Sequence, residues 1–446
     1  MRKNKVDIIT LGCSKNLVDS ELLMLQFQLN GYSVAHDAAQ IDGEIVVVNT
    51  CAFIGDAQEE SINMILSLEE AKKQGRIGRL YVMGCLSERF LKDLKKEMPL
   101  VDKFYGKFNW KSLIEDIGKS YHPDHATDRV LTTPSHYAYI KISEGCNRTC
   151  AFCSIPLITG KYQSRTIEDI LAEVKHLTSK GVKEFQLVAQ DLTYYGLDFY
   201  KHAFIPTSPL ERGRGRGGLP ELVERISDIS GVEWIRLHYG YPSHFPYDLL
   251  RVMQERSNVC KYMDIALQHI SDPVLKRMRR NITKQETYDL IGRIRNEVPD
   301  INLRTTMMVG YPGETDQDFD ELIEFVNDIR FERLGAFAYS HELGTYAYIH
   351  LSDDIPDEIK QERLDYLMQV QEKISLVSNG QKVGKIFRTI IDREETDYYI
   401  GRTEYDSPEV DNEVLISKEL KLIPGQFYNV KIENAEIFDL FGKALY

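Results

Sequence analysis

The sequence predicts an α/β protein built from an open parallel α/β sheet, a partial (βα)6 barrel and a small antiparallel β-barrel. Three observations predict it. Short apolar runs alternate with amphipathic helical patterns near the N-terminus, and six strand patterns alternate with helices in the middle of the chain. Short β-branched and aromatic stretches with turn residues follow Gly380. The predicted domains are residues 1–121, 136–378 and 380–446.

In the N-terminal domain the candidate strands are residues 6–11, 44–48 and 79–83. One helical pattern ends at Asn30 and Gly31, and a second runs from about 57 to 73. The unbroken apolar run 45–48 predicts a strand covered on both faces, as in a sheet packed between helices.

A polar connector, 122–135, leads into the central domain, where a charged helix at about 356–378 ends the pattern. A capping pair, Thr166 and Asp169, predicts a helix over Ile167–Ser179. The candidate strands are residues 137–142, 184–189, 234–238, 262–267, 302–309 and 333–339. In such a barrel the chemistry is expected at the C-terminal ends of the strands.

Residues 203–218 interrupt this pattern with a run rich in Pro, Gly and Arg. Composition favours a flexible surface insertion over a basic loop that contacts nucleic acid.

The composition is ordinary for a globular enzyme, with 43% hydrophobic and 28% charged residues among 446. No apolar run approaches the roughly 18–20 residues of a membrane span, and the N-terminus passes directly into a strand pattern, so we expect a cytoplasmic protein. The net charge of −13 argues against a general polyanion binder and suits a basic protein partner. In a reducing compartment the seven cysteines are expected to be ligands, nucleophiles or core residues.

Cys146, Cys150 and Cys153 form a Cys-x3-Cys-x2-Cys triplet. Three thiolates leave one iron of a four-iron cube open to an exogenous chelator, as in the radical S-adenosylmethionine (SAM) enzymes. Structural zinc is the alternative, but zinc usually pairs cysteines as Cys-x2-Cys and takes a fourth ligand. The nearest upstream histidine, His136, sits in a candidate strand and not at a ligand spacing. Phe152 is placed to shield a cluster from water.

Cys13, Cys51 and Cys85 each follow a candidate strand of the N-terminal domain. Parallel strands open their C-terminal ends onto one crevice, so these thiols are expected to converge and to hold a second cluster. The alternative is three buried structural cysteines. Cys260 precedes the fourth barrel strand, at the end where no chemistry is expected, and is interpreted as structural.

Polar residues recur at the C-terminal ends of the later central strands, the end of the barrel where the chemistry is expected, which we call its mouth. Their common position indicates SAM or substrate binding. We expect the cofactor-binding residues to be Gln190, Gln268, Arg304 and Gly310. His238 and His269 are interpreted as hydrogen-bonding residues and not as metal ligands.

Together these motifs resemble the radical SAM methylthiotransferase family along nearly the whole chain. The resemblance rests on the runs 11–16 and 49–51, on Gly84 and Cys85, on the triplet and on the turn 309–314. The C-terminal β module resembles a TRAM domain.

Within the family the RimO type modifies a ribosomal protein and the MiaB type modifies tRNA. Three features resemble the RimO type: Ser14-Lys15-Asn16 and the run 17–21 after Cys13, Gln268-His269, and the stretch 236–239. From Gly380 onward the chain carries nine Lys or Arg and thirteen Asp or Glu, a net charge of −4, which would repel tRNA and suit a basic ribosomal protein. Thr159, where many relatives have Arg, and Ala266, where Pro is common, depart from the pattern without touching a cluster ligand.

The resemblance implies two [4Fe-4S] clusters, on Cys146/Cys150/Cys153 (the catalytic set) and on Cys13/Cys51/Cys85, with SAM as radical source and methyl donor. It implies methylthiolation of the β-carbon of an aspartate in ribosomal protein uS12, with an electron donor and a sulfur donor as further partners. Neither a membrane nor a nucleic-acid substrate is expected. The alternatives are a tRNA (adenosine) methylthiotransferase of the MiaB type and, less favoured, a non-catalytic iron–sulfur electron carrier.

Overall fold

The computed structural model describes residues 1–125, 127–200 and 218–445. Of the predicted insertion 203–218, only Gly218 lies among them. The strands are β1 Arg2–Thr10, β2 Ser33–His36, β3 Gly43–Thr50, β4 Arg79–Gly84, β5 Lys103–Phe104, β6 Tyr137–Lys141, β7 Ser143–Glu144, β8 Gln163–Ser164, β9 Glu184–Val188, β10 Trp234–Gly240, β11 Val259–Gln268, β12 Asn302–Val309, β13 Arg333–Ala338, β14 Ile386–Glu394, β15 Tyr398–Thr403, β16 Glu413–Ser417, β17 Phe427–Ala435 and β18 Asp439–Ala444. The helices are α1 Ser14–Leu29, α2 Gly55–Lys73, α3 Cys85–Glu97, α4 Lys111–Asp116, α5 Ile155–Thr159, α6 Ile167–Ser179, α7 Leu219–Ser227, α8 Asp248–Glu255, α9 Asp272–Arg277, α10 Lys284–Glu297, α11 Asp316–Ile329, α12 Tyr346–His350 and α13 Asp357–Gly380.

The N-terminal sheet has the parallel order β2-β1-β3-β4-β5. Its central strand β3 is covered on both faces, since Val46 and Val48 pack into one apolar core and Ile45 and Val47 into the other. The three predicted strands are present, and the short edge strands β2 and β5 were not predicted. Parallel pairing places the C-terminal ends of β1, β3 and β4 on one edge of the sheet.

The central sheet pairs its six strands in the order β13-β12-β11-β10-β9-β6, each pair parallel. The predicted partial (βα)6 architecture of the central domain is confirmed. Thr166 caps α6 by accepting the backbone N–H of Asp169 at 3.2 Å, as its sequence predicted.

Strands β14 to β18 form a closed barrel, and every pair is antiparallel except β16 with β18. That one parallel contact arises because β17 crosses to the far side of β18, so that β18 returns in the direction of β16. The small barrel itself was predicted; the parallel closure was not.

The C-terminal barrel docks against the N-terminal ends of the central strands. Lys183, just before β9, donates to the carbonyl of Gly425 at 2.7 Å, and Arg236 of β10 donates to the carbonyl of Glu404 at 2.6 Å. The opposite edge of the central sheet is therefore left to the N-terminal domain. None of the helices in the described ranges has the length and apolar character needed to cross a membrane.

Candidate functional site

The cysteine triplet lies in a loop that a two-stranded ribbon closes at its base. Strands β7 and β8 pair antiparallel, and the backbone N–H of Cys146 donates to the carbonyl of Gly160 at 3.1 Å. Gly145 has φ +77°, and a Cβ there would lie 2.2 Å from the carbonyl oxygen of Lys161. Only glycine therefore permits the close approach that holds this loop shut.

Tyr241, just after β10, and Arg280, in the loop after α9, supply polar contacts to the triplet. The guanidinium of Arg280 donates to Cys150 Sγ at 3.3 Å and stacks 4.1 Å from the ring of Tyr241. The Cys150 thiol in turn donates to the Tyr241 hydroxyl at 3.8 Å. A buried guanidinium against a sulfur stabilises thiolate charge.

Arg148, inside the triplet, ties the loop to the end of β9. Its Nε donates to the carboxylate of Asp191 at 2.6 Å, and its guanidinium lies 4.0 Å from the ring centre of Tyr241. Sequence reasoning missed Arg148, Tyr241 and Arg280. The only available signal was their position, since Arg148 lies between two triplet cysteines and Arg280 ends a basic run after α9.

The cysteines of the triplet are half-buried. Burial raises the pKa of Cys146 to about 11, with the backbone N–H of Arg148 acting in the opposite direction. Burial likewise raises the pKa of Cys153. Metal binding releases the protons of such thiols, so a site of this kind favours a strongly bound soft metal.

Cys13, Cys51 and Cys85 converge at the edge predicted from their strands. Gly12, at φ +90°, brings its Cα so close that a Cβ would lie 2.9 Å from Cys51 Sγ. Gly84, at φ +99°, would place a Cβ 2.4 Å from Asn49 Oδ1. Asn16 bridges the loops, since its amide donates to the carbonyls of Leu11 and Thr50 at 3.0 and 3.1 Å and its Oδ1 lies 3.8 Å from Cys85 Sγ.

Two of these cysteines stand at helix N-termini, Cys13 as the cap of α1 and Cys85 as the first residue of α3. Helix N-termini favour negative charge, as on a thiolate or an anionic cluster. Burial works to raise the pKa of Cys13, but the charges of Lys15 and Lys107 and nearby backbone N–H groups outweigh it and lower the pKa. Burial raises the pKa of Cys51, and it raises that of Cys85 to about 12.

Among the described residues, no three His, Cys, Asp or Glu side chains are grouped so that they could hold a single metal ion. A cube of four irons and four sulfides is larger than an ion and is held by thiolates alone, so three converging thiols fit it in kind and number.

The two cysteine sets lie on one seam between the N-terminal and central sheets. The hydroxyl of Ser154, next to Cys153, donates to the carbonyl of Phe53, two residues beyond Cys51, at 3.3 Å. Ile158 of α5 packs into the apolar core of the N-terminal sheet. Arg89 of α3 closes the seam through an ion pair with Glu342 at 2.9 Å. The C-terminal edges of both sheets therefore face each other.

The other predicted binding residues are distributed unevenly. Gln190 follows β9 and Gln268 ends β11, so both lie at the C-terminal edge. Gln268 has φ +75°, and its buried Oε1 has no hydrogen-bond partner in the part of the chain that the structure describes. An orphaned buried acceptor of this kind fits a ligand donor at the mouth. Gly310 follows β12 with φ +70°, and a Cβ there would lie 2.3 Å from Lys360 Cγ of α13.

Arg304 does not lie at the mouth, contrary to the expectation. It is the third residue of β12, and its guanidinium lies 3.5 Å from Asp264 and 3.4 Å from Asp411 of the C-terminal barrel. Strand periodicity shows on which face of the sheet a side chain lies, but not how far along the barrel axis it is. The sequence therefore could not decide at which end of the barrel Arg304 lies.

Four further residues singled out in the sequence are engaged in hydrogen bonds or apolar packing. His238 Nε2 donates to Gln186 Oε1 at 2.7 Å, and His269 Nδ1 accepts from the N–H of Ser271 at 3.0 Å, so both form hydrogen bonds as expected. Cys260 lies inside β11, one residue after its start, and is buried against Trp234 in a small apolar cluster. His136 precedes β6 instead of lying within it, and its Nε2 lies 2.7 Å from Asp392.

Family models match three stretches of the chain. They are described as the radical SAM superfamily over residues 140–326, the uncharacterized protein family UPF0004 over 5–106, and the TRAM domain over 383–445. Each matched stretch falls within one predicted domain, and the exact domain bounds stay a prediction.

Curated relatives extend over the whole chain. A protein of Parabacteroides distasonis named ribosomal protein uS12 methylthiotransferase RimO is 72% identical and covers 100% of both chains. The chain belongs to the RimO family. Proteins with the same name from Porphyromonas gingivalis and Bacteroides thetaiotaomicron are 63% and 60% identical, the first covering 99% of both chains and the second 100% of this chain and 99% of its own. As a RimO family member the chain is a radical SAM methylthiotransferase.

Solved structures resemble the RimO family chain at the level of fold. The radical SAM methyltransferase TsrM from Kitasatospora setae, with cobalamin and a [4Fe-4S] cluster bound, covers 76% of this chain and 75% of its own at 14% identity and a TM-score of 0.51. Its complex with tryptophan and a SAM analogue aligns with a TM-score of 0.53 at 13% identity, covering 75% of this chain and 72% of its own.

Proposed function

We propose that this chain methylthiolates the β-carbon of an aspartate in ribosomal protein uS12. The observation that carries the proposal is the contact of Ser154 with Phe53, which brings the two cysteine sets to one seam. Replacing C–H by C–S requires that a radical source and a sulfur carrier reach the same carbon. The relatives that cover the whole chain at 60–72% identity are named for uS12, which supports the substrate.

Each cysteine set would hold one [4Fe-4S] cluster, Cys146, Cys150 and Cys153 on the central side and Cys13, Cys51 and Cys85 on the N-terminal side. When bound, the central cluster with SAM supplies the radical that breaks an unactivated C–H bond, the N-terminal cluster carries the sulfur, and SAM supplies the methyl group.

The protein's own groups orient and enclose these cofactors. Arg280 donates to Cys150 Sγ and fixes that thiolate against the ring of Tyr241. Phe152 and Tyr311, whose ring centres lie 6.4 Å apart, place apolar surface beside the triplet and exclude water from it. The unpaired Oε1 of Gln268 is available to accept a hydrogen bond from SAM or substrate.

The proposal includes two further partners, an electron donor for the central cluster and a sulfur donor for the N-terminal one. A ribosomal protein as substrate places the reaction in the cytoplasm. The net charge of the C-terminal barrel overstates the argument against tRNA as substrate. Three of its acidic residues already pair with arginines: Asp406 and Asp411 with arginines of the central domain, and Asp392 with Arg402 of the same barrel.

The test is anaerobic reconstitution with iron and sulfide, followed by incubation with SAM, a reductant and either purified uS12 or tRNA. Mass spectrometry follows both substrates. We expect a methylthio mass gain on one aspartate of uS12 and none on tRNA. A gain on tRNA alone would replace the proposal by the MiaB-type activity, and SAM cleavage without either product would leave the substrate open.

Two variants control this experiment. Cys150→Ala is expected to abolish SAM cleavage, whereas Cys51→Ala is expected to retain SAM cleavage and lose sulfur insertion. Loss of SAM cleavage in both would mean that the two sets do not act separately.

A further inference from the structure

Lys15, two residues beyond Cys13, is a buried cation on the seam that pairs with no carboxylate among the described residues. Its side chain is 5% exposed. Its ammonium lies 4.0 Å from the ring centre of Tyr239 and 3.5 Å from the carbonyl oxygen of Ala189, both at the C-terminal edge of the central sheet. Burying an ammonium costs free energy unless a charged or strongly polar partner compensates.

The other cations of the seam are already engaged. Arg148 pairs with Asp191 and Arg89 with Glu342. Lys107 and Lys141 share the carboxylate of Asp19. Arg280 has no carboxylate partner among the described residues, but it donates to Cys150 Sγ and to a backbone carbonyl. Lys15 has a long carbonyl contact, a ring face and the nearby thiol of Cys13, whose pKa it lowers, but no carboxylate among the described residues.

The substrate of the proposed reaction brings a carboxylate to this seam. The reacting β-carbon of an aspartate is bonded directly to the carboxyl carbon, so the ionised carboxylate must enter the seam with it. Near neutral pH that group is charged, and burying it requires a cation or several donors. Lys15, which lacks a carboxylate partner among the described residues, and the carboxylate of the substrate would compensate each other.

We propose that Lys15 binds the side-chain carboxylate of the target aspartate and so selects aspartate over its neutral isostere asparagine. The inference rests on the proposed function, because it takes a carboxylate next to the reacting carbon as given. Ala189 and Tyr239 hold the ammonium at the edge of the central sheet until the carboxylate arrives. A neutral amide at the same place would leave the ammonium without an anion.

The test measures binding of uS12 to the reconstituted holoenzyme by anaerobic titration calorimetry, without reductant so that no turnover occurs. Two forms of uS12 are compared, the wild type and one with asparagine in place of the modified aspartate. We expect the wild-type enzyme to bind the aspartate form about 10- to 100-fold more tightly, the range of one charge-assisted hydrogen bond. In Lys15→Met the ratio of the two affinities, aspartate form over asparagine form, is expected to fall close to one. Lys15→Arg is expected to retain most of this ratio.

Arg89→Met is the matched control, since Arg89 is also a buried seam cation but pairs with Glu342. Arg89→Met is expected to weaken the binding of both forms of uS12 equally and so to leave the ratio of their affinities unchanged. A ratio that collapses as far in Arg89→Met as in Lys15→Met would overturn the proposal, since any loosening of the seam would then suffice. An unchanged ratio in Lys15→Met would also overturn it.

Iron content and the visible spectrum of Lys15→Met report whether the residue instead supports the cluster on Cys13. Normal iron content in Lys15→Met, together with loss of the preference for the aspartate form of uS12, supports carboxylate binding. Loss of iron in Lys15→Gln, together with an unchanged preference for the aspartate form, overturns carboxylate binding by Lys15. The two proposals fail differently. If the wild-type holoenzyme leaves uS12 unmodified, the proposed function is wrong; if it modifies uS12 while Lys15→Met keeps the ratio, only the role of Lys15 is wrong.

Discussion

Glu184, the first residue of β9, accepts hydrogen bonds from Arg402 of the C-terminal barrel at 3.0 and 2.8 Å. Arg236 of β10 donates to the same carboxylate at 3.2 Å, and all three side chains are almost completely buried. The two barrels are therefore joined by a charge network closed to water. Such networks are destabilising when one member is removed, because the remaining charges stay buried without compensation.

Glu184→Gln is expected to lower the free energy of unfolding by about 3 kcal/mol or more, since it leaves two buried guanidinium groups facing a neutral amide. Urea denaturation measures the change. The control is Glu255→Gln, which removes a half-exposed partner of Arg251 and should cost less than about 0.5 kcal/mol. Equal effects of the two substitutions would contradict this account.

Lys382, just after α13, is expected to make stability depend on alkaline pH. Burial, with the nearby charge of Arg333, lowers its pKa from 10.5 to about 8. Below pH 8 both native and unfolded states carry the proton, and the full cost of burying the charge is present. Between pH 8 and 10.5 the native state loses its proton first, so the unfolded state binds more protons and stability rises with pH.

Lys382→Met should therefore be more stable than the wild type at neutral pH, by up to roughly 3 kcal/mol from the size of the pKa change. The difference should shrink as pH rises from 8 to 10.5. Thermal or denaturant unfolding of both proteins across pH 7–10.5 measures it. A difference that stays constant with pH would rule out the buried charge as its cause.

Gly84→Ala is expected to disrupt the N-terminal cysteine set, because the added Cβ would lie 2.4 Å from Asn49 Oδ1 and 2.7 Å from the carbonyl of Thr50. Gly181→Ala is the matched control, since Gly181 has the same φ of +99° but open space around its Cβ position. The control carries backbone strain alone, about 1 kcal/mol. Iron analysis after reconstitution should show iron loss only in Gly84→Ala; equal loss in both would attribute the effect to strain.

Replacing Cys13, Cys51 and Cys85 together by Ala is expected to remove about half of the iron bound per chain, since each set would hold one four-iron cluster. Cys260→Ala should leave the iron content unchanged, because that thiol lies in the apolar cluster with Trp234. Iron and sulfide assays with visible absorption measure both. Full iron in the triple variant would show that the N-terminal cysteines hold no cluster.

Much of the site followed from local pattern. Cys13, Cys51 and Cys85 each come at or just after the end of an apolar strand, and parallel sheets place such ends together, so their convergence was predictable without coordinates. The glycines before Cys13 and Cys85 also indicated tight turns at these strand ends. That a side chain there would collide with neighbouring residues is visible only in the fold.

Other parts depended on contacts that spacing does not encode. Arg304 was expected at the mouth and instead pairs with Asp411, because depth along a barrel strand is decided by how the C-terminal barrel docks. Arg280 reaches Cys150 across 130 positions of sequence. Such pairings arise from the packing of whole helices and strands, and the periodicity of the sequence does not predict them.

By itself the sequence determined the principal strands of the two parallel sheets, the two cysteine sets and the family, because side-chain periodicity and motif spacing are local properties of the chain. The tertiary structure alone decided three things: both sets open onto one seam, Lys15 is buried there with no carboxylate partner among the described residues, and Glu184 bonds to Arg402, 218 positions away. These depend on which charges become neighbours once water is excluded, and only the packed fold sets those distances.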